Sequence, residues 1–442
     1  MRPLTQDEQN RLYFVAFQCV TDLDEEQGVV ASARTESYGC LFGRDSAITV
    51  LKLLRVHQRA PNEKILDLCR RTLLTHDSLQ GKTYNLESGE EPGKYIHEYR
   101  PDNYERLIKR ERPWYVYDDG KLRNYDSIDA TPLLLLAMHR YFQVTKDPDF
   151  LRTVLPGIKQ GLRWLITDAD KNNDHLVEYE LPAQRISGGL VVQSWTDSMA
   201  SLVQSDGSFP TYPITAVEVQ AITWACLRTW ATYFTENPDA DDKQFPHQLR
   251  AFADTLQLSF LQQFLLTDNG HAYAAQAIDG KQKVIPTITA NPLLCLWASV
   301  PGFTGGLDAI VSDGVIKEFV ARAFEDDLFD PQAGMRTMSR RSPLFDPTER
   351  SYHNGSFWPM LDGLIHEGLV MWGFTEEAER LRQASLHAIK HFDSPIELFC
   401  SVEPGKYFEY TSASGKHGCR YQAWTAAAML DWLTPASKEA LS

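Results

Sequence analysis

The stretch from Thr131 to Phe142, TPLLLLAMHRYF, is apolar on nearly all sides. A helix of that kind is stable only when other elements enclose it, so the chain must build a layer around it. Pro156 to Ile166 supplies the complementary type: Ile158, Leu162 and Leu165 share one stripe while Lys159, Gln160 and Arg163 lie elsewhere, the pattern of a helix with one face to solvent. Ser46 to His57, Ala216 to Phe234, Ser356 to Trp372 and Gln422 to Leu433 again have helical composition. Inner and outer helices alternating along a chain predict an all-α toroid of helical hairpins. Thr131 is the expected N-cap of the enclosed helix, with Pro132 at N1. Strand-like alternation is scarce, and Lys281 to Ile288 is the best candidate for a hairpin arm.

No Pro/Ser/Gly-rich linker and no long charge run divides the 442 residues. One domain over 1–442 is therefore expected, although single cores usually stop growing near about 250 to 300 residues. The formal charge of −15 argues against a nucleic-acid phosphate backbone or an anionic membrane as partner, since both demand clustered Lys and Arg. A small neutral molecule fits better. Seven cysteines without a CxxC pair point to reduced thiols in a cytoplasmic compartment. The apolar run Leu12 to Val20 is interrupted by Gln18 and has no small-residue cleavage site after it, which makes it a poor signal peptide. Twelve histidines show no HExxH or similar spacing, so neither a metal nor another cofactor is expected.

Unusual polar clusters precede or open the inner-type helices: Gly43-Arg44-Asp45, Tyr125 to Asp129, and His353-Asn354-Gly355. Segments entering inner helices would converge on one end of the toroid and form a pocket there. Two distant carboxylates stand out. Asp197 lies in Trp195-Thr196-Asp197-Ser198, and Glu397 lies in Ile396-Glu397-Leu398-Phe399; hydrolysing a glycosidic bond needs one acid for the leaving oxygen and one base for water or a nucleophile. A tryptophan beside a carboxylate can stack on a sugar ring and raise the acid's pKa by desolvation, whereas the plainer role for Asp197 is a helix cap. Glu409, in Tyr407-Phe408-Glu409-Tyr410, competes with Glu397, and chemistry alone does not choose between them.

Arg44 and Asp45 suit adjacent sugar hydroxyls, or form a simple ion pair with Asp45 as N-cap. His97 and Glu98 draw attention within a charged loop because Ile96 and Tyr99 flank them. Glu218 and Gln220 are candidate buried hydroxyl ligands, as are Asp129, His353 and Asn354. Trp195, Trp358 and Trp424 are candidate ring platforms, and Gln422 opens the last helix beside the pocket wall.

With these residues assembled, the chain resembles the amylo-α-1,6-glucosidase family, the glucosidase part of glycogen debranching enzymes. The resemblance rests on Phe42 to Ser46, Glu91 to Lys94 with His97 to Arg100, Asp129 to Leu133, Trp195 with Asp197-Ser198, Val217 to Gln220, Tyr352 to Pro359, Glu397 to Phe399 and Gln422 to Trp424, in family order. It implies an (α/α)6 barrel and inverting hydrolysis, with Asp197 as general acid and Glu397 as general base. The expected substrate is a small or short-chain glycoside carrying a terminal α-linked glucose or related hexose. Sister families include neutral invertases, trehalases and glucosylglycerate hydrolases. Two departures are visible: Ile396 separates Pro395 from Glu397, which keeps Glu409 in contention, and Ser194-Trp195-Thr196 replaces the family's Gly-Trp-Lys. A different class, a sugar epimerase, would use histidines as acid and base, and His97, His353 and His417 are available.

Overall fold

The computed structural model describes residues 2–238, 242–302 and 305–435. Among them are thirteen α-helices: α1 Gln6–Asp22, α2 Gly43–Arg59, α3 Glu63–Ser78, α4 Glu105–Ile108, α5 Ala130–Thr145, α6 Pro148–Thr167, α7 Val217–Glu236, α8 Phe245–Gln263, α9 Leu294–Trp297, α10 Asp313–Ala323, α11 Pro359–Met371, α12 Thr375–Phe392 and α13 Ala423–Leu433. Six of these contact one another in a closed cycle: α2 packs on α5, α5 on α7, α7 on α9, α9 on α11, α11 on α13, and α13 back on α2. A second set lies outside, with α1 on α13, α3 on α2, α6 on α5, α8 on α7 and α12 on α11. The composition explains the division. Inner α7 buries fourteen of its residues, including Glu218 and Gln220, whereas outer α3 buries only Ile65, Leu68, Cys69, Thr72, Leu73 and His76. One apolar cluster runs from Leu12 to Trp432. No helix among the described residues is long and apolar enough to cross a membrane.

Several boundaries differ from the sequence reading. Helix α2 begins at Gly43, not Ser46, which brings Arg44 and Asp45 into its first turn, with Phe42 as N-cap. Glycine is required there: a Cβ on Gly43 would stand 2.2 Å from the Ile96 carbonyl oxygen. The Gly43 amide donates to the His97 carbonyl at 2.9 Å. Thr131 is not the N-cap of α5. Asp129 holds that position, the Ser127 hydroxyl accepts from the Ala130 amide at 3.2 Å, and Thr131 instead accepts from the Tyr95 amide at 2.9 Å. Pro156 lies inside α6, which starts at Pro148 under the Asp147 cap. The expected arm at Lys281 to Ile288 shrinks to Val284–Ile285, paired with Ala277–Ile278. Strands are more numerous than expected but stay in seven small sheets of two or three strands among the described residues. Pro359 is at N1 of α11 and Gln422 caps α13.

The cycle is closed on its inner side by a buried ionic cluster. The Lys52 ammonium of α2 donates to Asp431 of α13 at 3.2 Å, to Glu367 of α11, and to the Gly363 carbonyl at 2.9 Å; Arg55 and Arg59 also reach Asp431. The two arginines and the lysine hold the Asp431 carboxyl far below the usual carboxylate range, against the opposing effect of its burial. Removing one partner leaves uncompensated buried charge, so Asp431→Asn is expected to cost about 3–5 kcal/mol. A urea midpoint that does not move would show that the cluster does not hold the first and last inner helices together.

Candidate functional site

Two segments without regular structure carry the principal carboxylates. Asp197 sits in the connection between α6 and α7, just before the short 3-10 turn Met199–Ser201, whose N-cap is Ser198, so Asp197 caps no helix. That connection is tied down upstream: buried Arg185 donates to Asp126 at 2.7 Å, the Leu190 amide donates to the same carboxylate at 3.0 Å, and the Ile128 amide donates to the Gln193 carbonyl at 2.9 Å. Glu397 lies after α12, at the start of the hairpin Phe399–Glu403 with Lys406–Glu409.

The two are held differently. Asp197 keeps 28% of its side-chain surface open and receives one long contact, from the Arg44 guanidinium at 3.5 Å. The other arm of Arg44 donates to Asp129 at 2.7 Å, and Asp129 also accepts from Ser127 at 2.5 Å. Desolvation pushes the Asp197 carboxyl up to about 6; Arg44 opposes this, while Asp129 and Glu397 add to it. Glu397 is 1% exposed and accepts two hydrogen bonds of 2.7 Å, from the Tyr352 hydroxyl and the Cys419 amide. Burial raises its pKa, and those two donors with Lys416 hold it back. Tyr352 in turn meets the Tyr38 hydroxyl at 3.1 Å.

Around them the candidate residues form one connected set. Gln422 donates to Asp45 at 3.3 Å, and burial pushes Asp45 up to about 7 against the pull of Arg44. Trp195 meets His353 and Trp358 edge-on, with ring centroids at 5.4 and 5.7 Å; Trp358 meets Trp424 at 6.0 Å and Tyr352 at 5.1 Å. His353 stacks on Trp358 at 4.9 Å, and its Nδ1 is 2.9 Å from the Ser198 hydroxyl. The Trp195 indole donates to Asn291 at 3.1 Å, and Asn291 donates to Glu218 at 3.1 Å. Desolvation pushes Glu218 up to about 7. His97 lies against Phe42 at 5.3 Å. Burial holds both histidines well below their usual pKa, hence neutral, with Arg44 adding to the effect.

Six buried polar atoms of this set have no protein partner among the described residues: Arg44 Nε, His97 Nδ1, Glu218 Oε1, His353 Nε2, Gln422 Oε1 and Trp424 Nε1. Buried polar groups are seldom left unpaired, so such a concentration is suited to a polyhydroxylated ligand. Arg44, Asp129, Trp195 and Glu218, together with Leu133, Ile222 and Leu364, line a small cavity of about 10 Å³. A separate recess of about 190 Å³, lined by Glu25, Arg34, Tyr99 and Asp102, contains none of the candidate site residues.

Four candidates are committed elsewhere. Glu98 pairs with buried Arg100. The Gln220 amide clamps the Val177 backbone, accepting at 2.8 Å and donating at 2.7 Å. Asn354 donates to the Ala200 and Leu344 carbonyls, both at 2.9 Å. Glu409 forms an ion pair with Arg420. His417 is exposed and bonded to Thr411 at 3.0 Å, so the three histidines of the epimerase alternative do not share this set. Tyr38 and Asn291 were not singled out from the sequence, and Tyr352 entered only as the first residue of the Tyr352 to Pro359 stretch; the contacts of all three are with residues far away in sequence, for which no local pattern exists. Among the described residues one carboxylate group, Asp170, Asp174 and Glu178, has ligand atoms within 4.8 Å of one another. It already accepts from the His175 and Lys171 amides and from Asn172.

The sequence model of the family described as amylo-alpha-1,6-glucosidase matches residues 104–431. Arg44, Asp45, His97 and Glu98 lie before the matched stretch. Two mannosylglycerate hydrolases of Selaginella moellendorffii are each 30% identical over 127 residues, which is 29% of this chain and only 23% of their own length. Among solved structures, a GH63 mannosylglycerate hydrolase from Thermus thermophilus in complex with Tris superposes with a TM-score of 0.59 at 14% identity, over 95% of this chain and 99% of that one. A metal-independent alpha mannosidase of Streptococcus pneumoniae bound to alpha-1,6-mannobiose gives a TM-score of 0.62 at 12% identity, over 97% and 93%. At such identities these two likenesses concern the fold.

Proposed function

The chain belongs to the amylo-alpha-1,6-glucosidase family, and from that premise we propose an inverting glycoside hydrolase that removes a terminal α-linked hexose, glucose or mannose, from a small glycoside. Asp197 protonates the glycosidic oxygen, and Glu397 takes a proton from the water that attacks the opposite face of the sugar. The observation that carries this reading is the unequal holding of the two carboxylates. Asp197, partly open and pushed up to about 6, holds its proton up to about that pH, well above the usual aspartate range. Glu397 receives two donors that favour its ionised form. Divergent environments of this kind distinguish an acid from a base. Arg44, Asp45, Asp129 and Glu218 serve as hydroxyl ligands, with Trp195, Trp358 and Trp424 as apolar walls. The closed cycle of inner helices supports an (α/α)6 barrel in one catalytic domain. Seven free, buried cysteines support a reducing, cytoplasmic setting.

The test is the first-formed product from α-glucosides and α-mannosides, followed by NMR before mutarotation. Release of the β-hexose is expected. Release of the α-hexose would overturn inversion, and an isomerised sugar of unchanged mass would overturn hydrolysis.

A further inference from the structure

Beside the candidate site, in a chain of net charge −15, lies a corner of uncompensated positive charge. Lys416 follows the turn Ser412 to Gly415, between the hairpin that follows Glu397 and helix α13. The residue is exposed, yet its ammonium points inward: Nζ lies 4.6 Å from the centre of the Tyr38 ring and 3.3 Å from the Tyr38 hydroxyl. From there, two hydroxyls lead to the proposed base, Tyr38 to Tyr352 at 3.1 Å and Tyr352 to Glu397 at 2.7 Å. Arg106 approaches the same spot, donating to the carbonyl of Ser37, the residue before Tyr38. Arg110 stacks over Trp114, 5.7 Å from the ring centre. Among the described residues, none of these three cations has a carboxylate partner within ion-pair distance. A phenol is a weak partner for an ammonium compared with a carboxylate.

We infer that Lys416, with Arg106 beside it, binds a carboxylate on the leaving group, so that the enzyme prefers an anionic aglycone to a neutral one of the same shape. This rests on the glycosidase reading above. The position suits the role. Lys416 stands two hydroxyls away from Glu397, on an exposed residue beside the site. The Tyr38 hydroxyl is under the field of both Glu397 and Asp197, which places it near the proposed acid as well as the proposed base. The corner is also repulsive as it stands. Burial of the ammonium head lowers the Lys416 pKa, Arg106 and Arg110 lower it further, and Glu397 opposes them. A carboxylate held by Lys416 and Arg106 relieves that repulsion and replaces the phenol as hydrogen-bond acceptor.

The experiment compares kcat/KM for an α-glycosylglycerate with that for the α-glycosylglycerol of identical linkage, with an aryl α-glycoside as third substrate, in the wild type, Lys416→Met and Lys416→Arg. Using a ratio makes the result independent of the fraction of folded enzyme. The wild type is expected to prefer the glycerate, and Lys416→Met to lose roughly 10- to 100-fold of that preference, the value of a hydrogen bond to a charged group. Lys416→Arg should regain most of it, and added salt should erode it. A preference untouched by Lys416→Met, or an arginine variant as deficient as the methionine one, overturns the inference. So does a wild type that releases hexose from the glycerol and aryl glycosides without favouring the glycerate, although the glycosidase reading then stands. Failure to release hexose from any of the three removes both.

Discussion

Glu397→Gln is expected to lower kcat on every glycoside by about 10²–10⁴-fold, the usual contribution of a positioned general base. The amide keeps the size of the carboxylate and still accepts from Tyr352, but it cannot take a proton from water. No property of the leaving group compensates for that loss, so an activated aryl glycoside should suffer as much as an alkyl one. The comparison that decides the assignment is Glu409→Gln. Glu409 is engaged with Arg420 in a partly exposed ion pair, and such pairs contribute little, so kcat should stay near the wild-type value. Steady-state kinetics of the two variants on one aryl and one alkyl substrate make the test. The reverse pattern would move the base to Glu409.

Asp197→Asn is expected to separate the two substrate types. On an alkyl glycoside, whose leaving oxygen must be protonated as it departs, kcat should fall by about 10²–10⁴-fold. On an aryl glycoside with an acidic leaving group, the loss should be much smaller. The pH profile gives an independent readout. The acid acts in its protonated form and its pKa is pushed up to about 6, so wild-type activity on the alkyl substrate should decline as pH rises through that value. In Asp197→Asn this alkaline limb should vanish, leaving the acidic limb set by ionisation of Glu397. An equal, modest loss on both substrates with an unchanged profile would exclude Asp197 as the acid.

The parts of this site that were legible in the sequence share a property: each is a residue type whose local neighbours already announce a strained environment. Asp197 beside Trp195, Glu397 between Ile396 and Leu398, and Arg44-Asp45 after Phe42-Gly43 are charged groups set among apolar ones. Burying such groups is costly without a purpose. The same signal is ambiguous at Glu98, Gln220, Asn354 and Glu409, because a polar side chain set among apolar ones can equally be serving the backbone or an ion pair. Gln220 illustrates the ambiguity. It lies two residues from Glu218 on the same buried helix, yet its amide is consumed by Val177, while Glu218 keeps a free oxygen toward the cavity.

By itself, the sequence determined that helices dominate, where the enclosed and outward-facing ones lie, and which two carboxylates are chemically conspicuous. Those properties follow from periodicity and composition within a dozen residues, which is the range over which a helix averages its environment. Only the tertiary structure decided how the carboxylates differ. Asp197 is left with one long contact to an arginine 153 positions away, while Glu397 is gripped by a tyrosine 45 positions before it and an amide 22 positions after it. The tertiary structure also decided that Lys416 leans over Tyr38, 378 positions earlier in the chain. Hydrogen bonds of that span arise from closure of the helical cycle, which joins α13 to α2, and no local pattern of residues encodes which side chains closure will bring together.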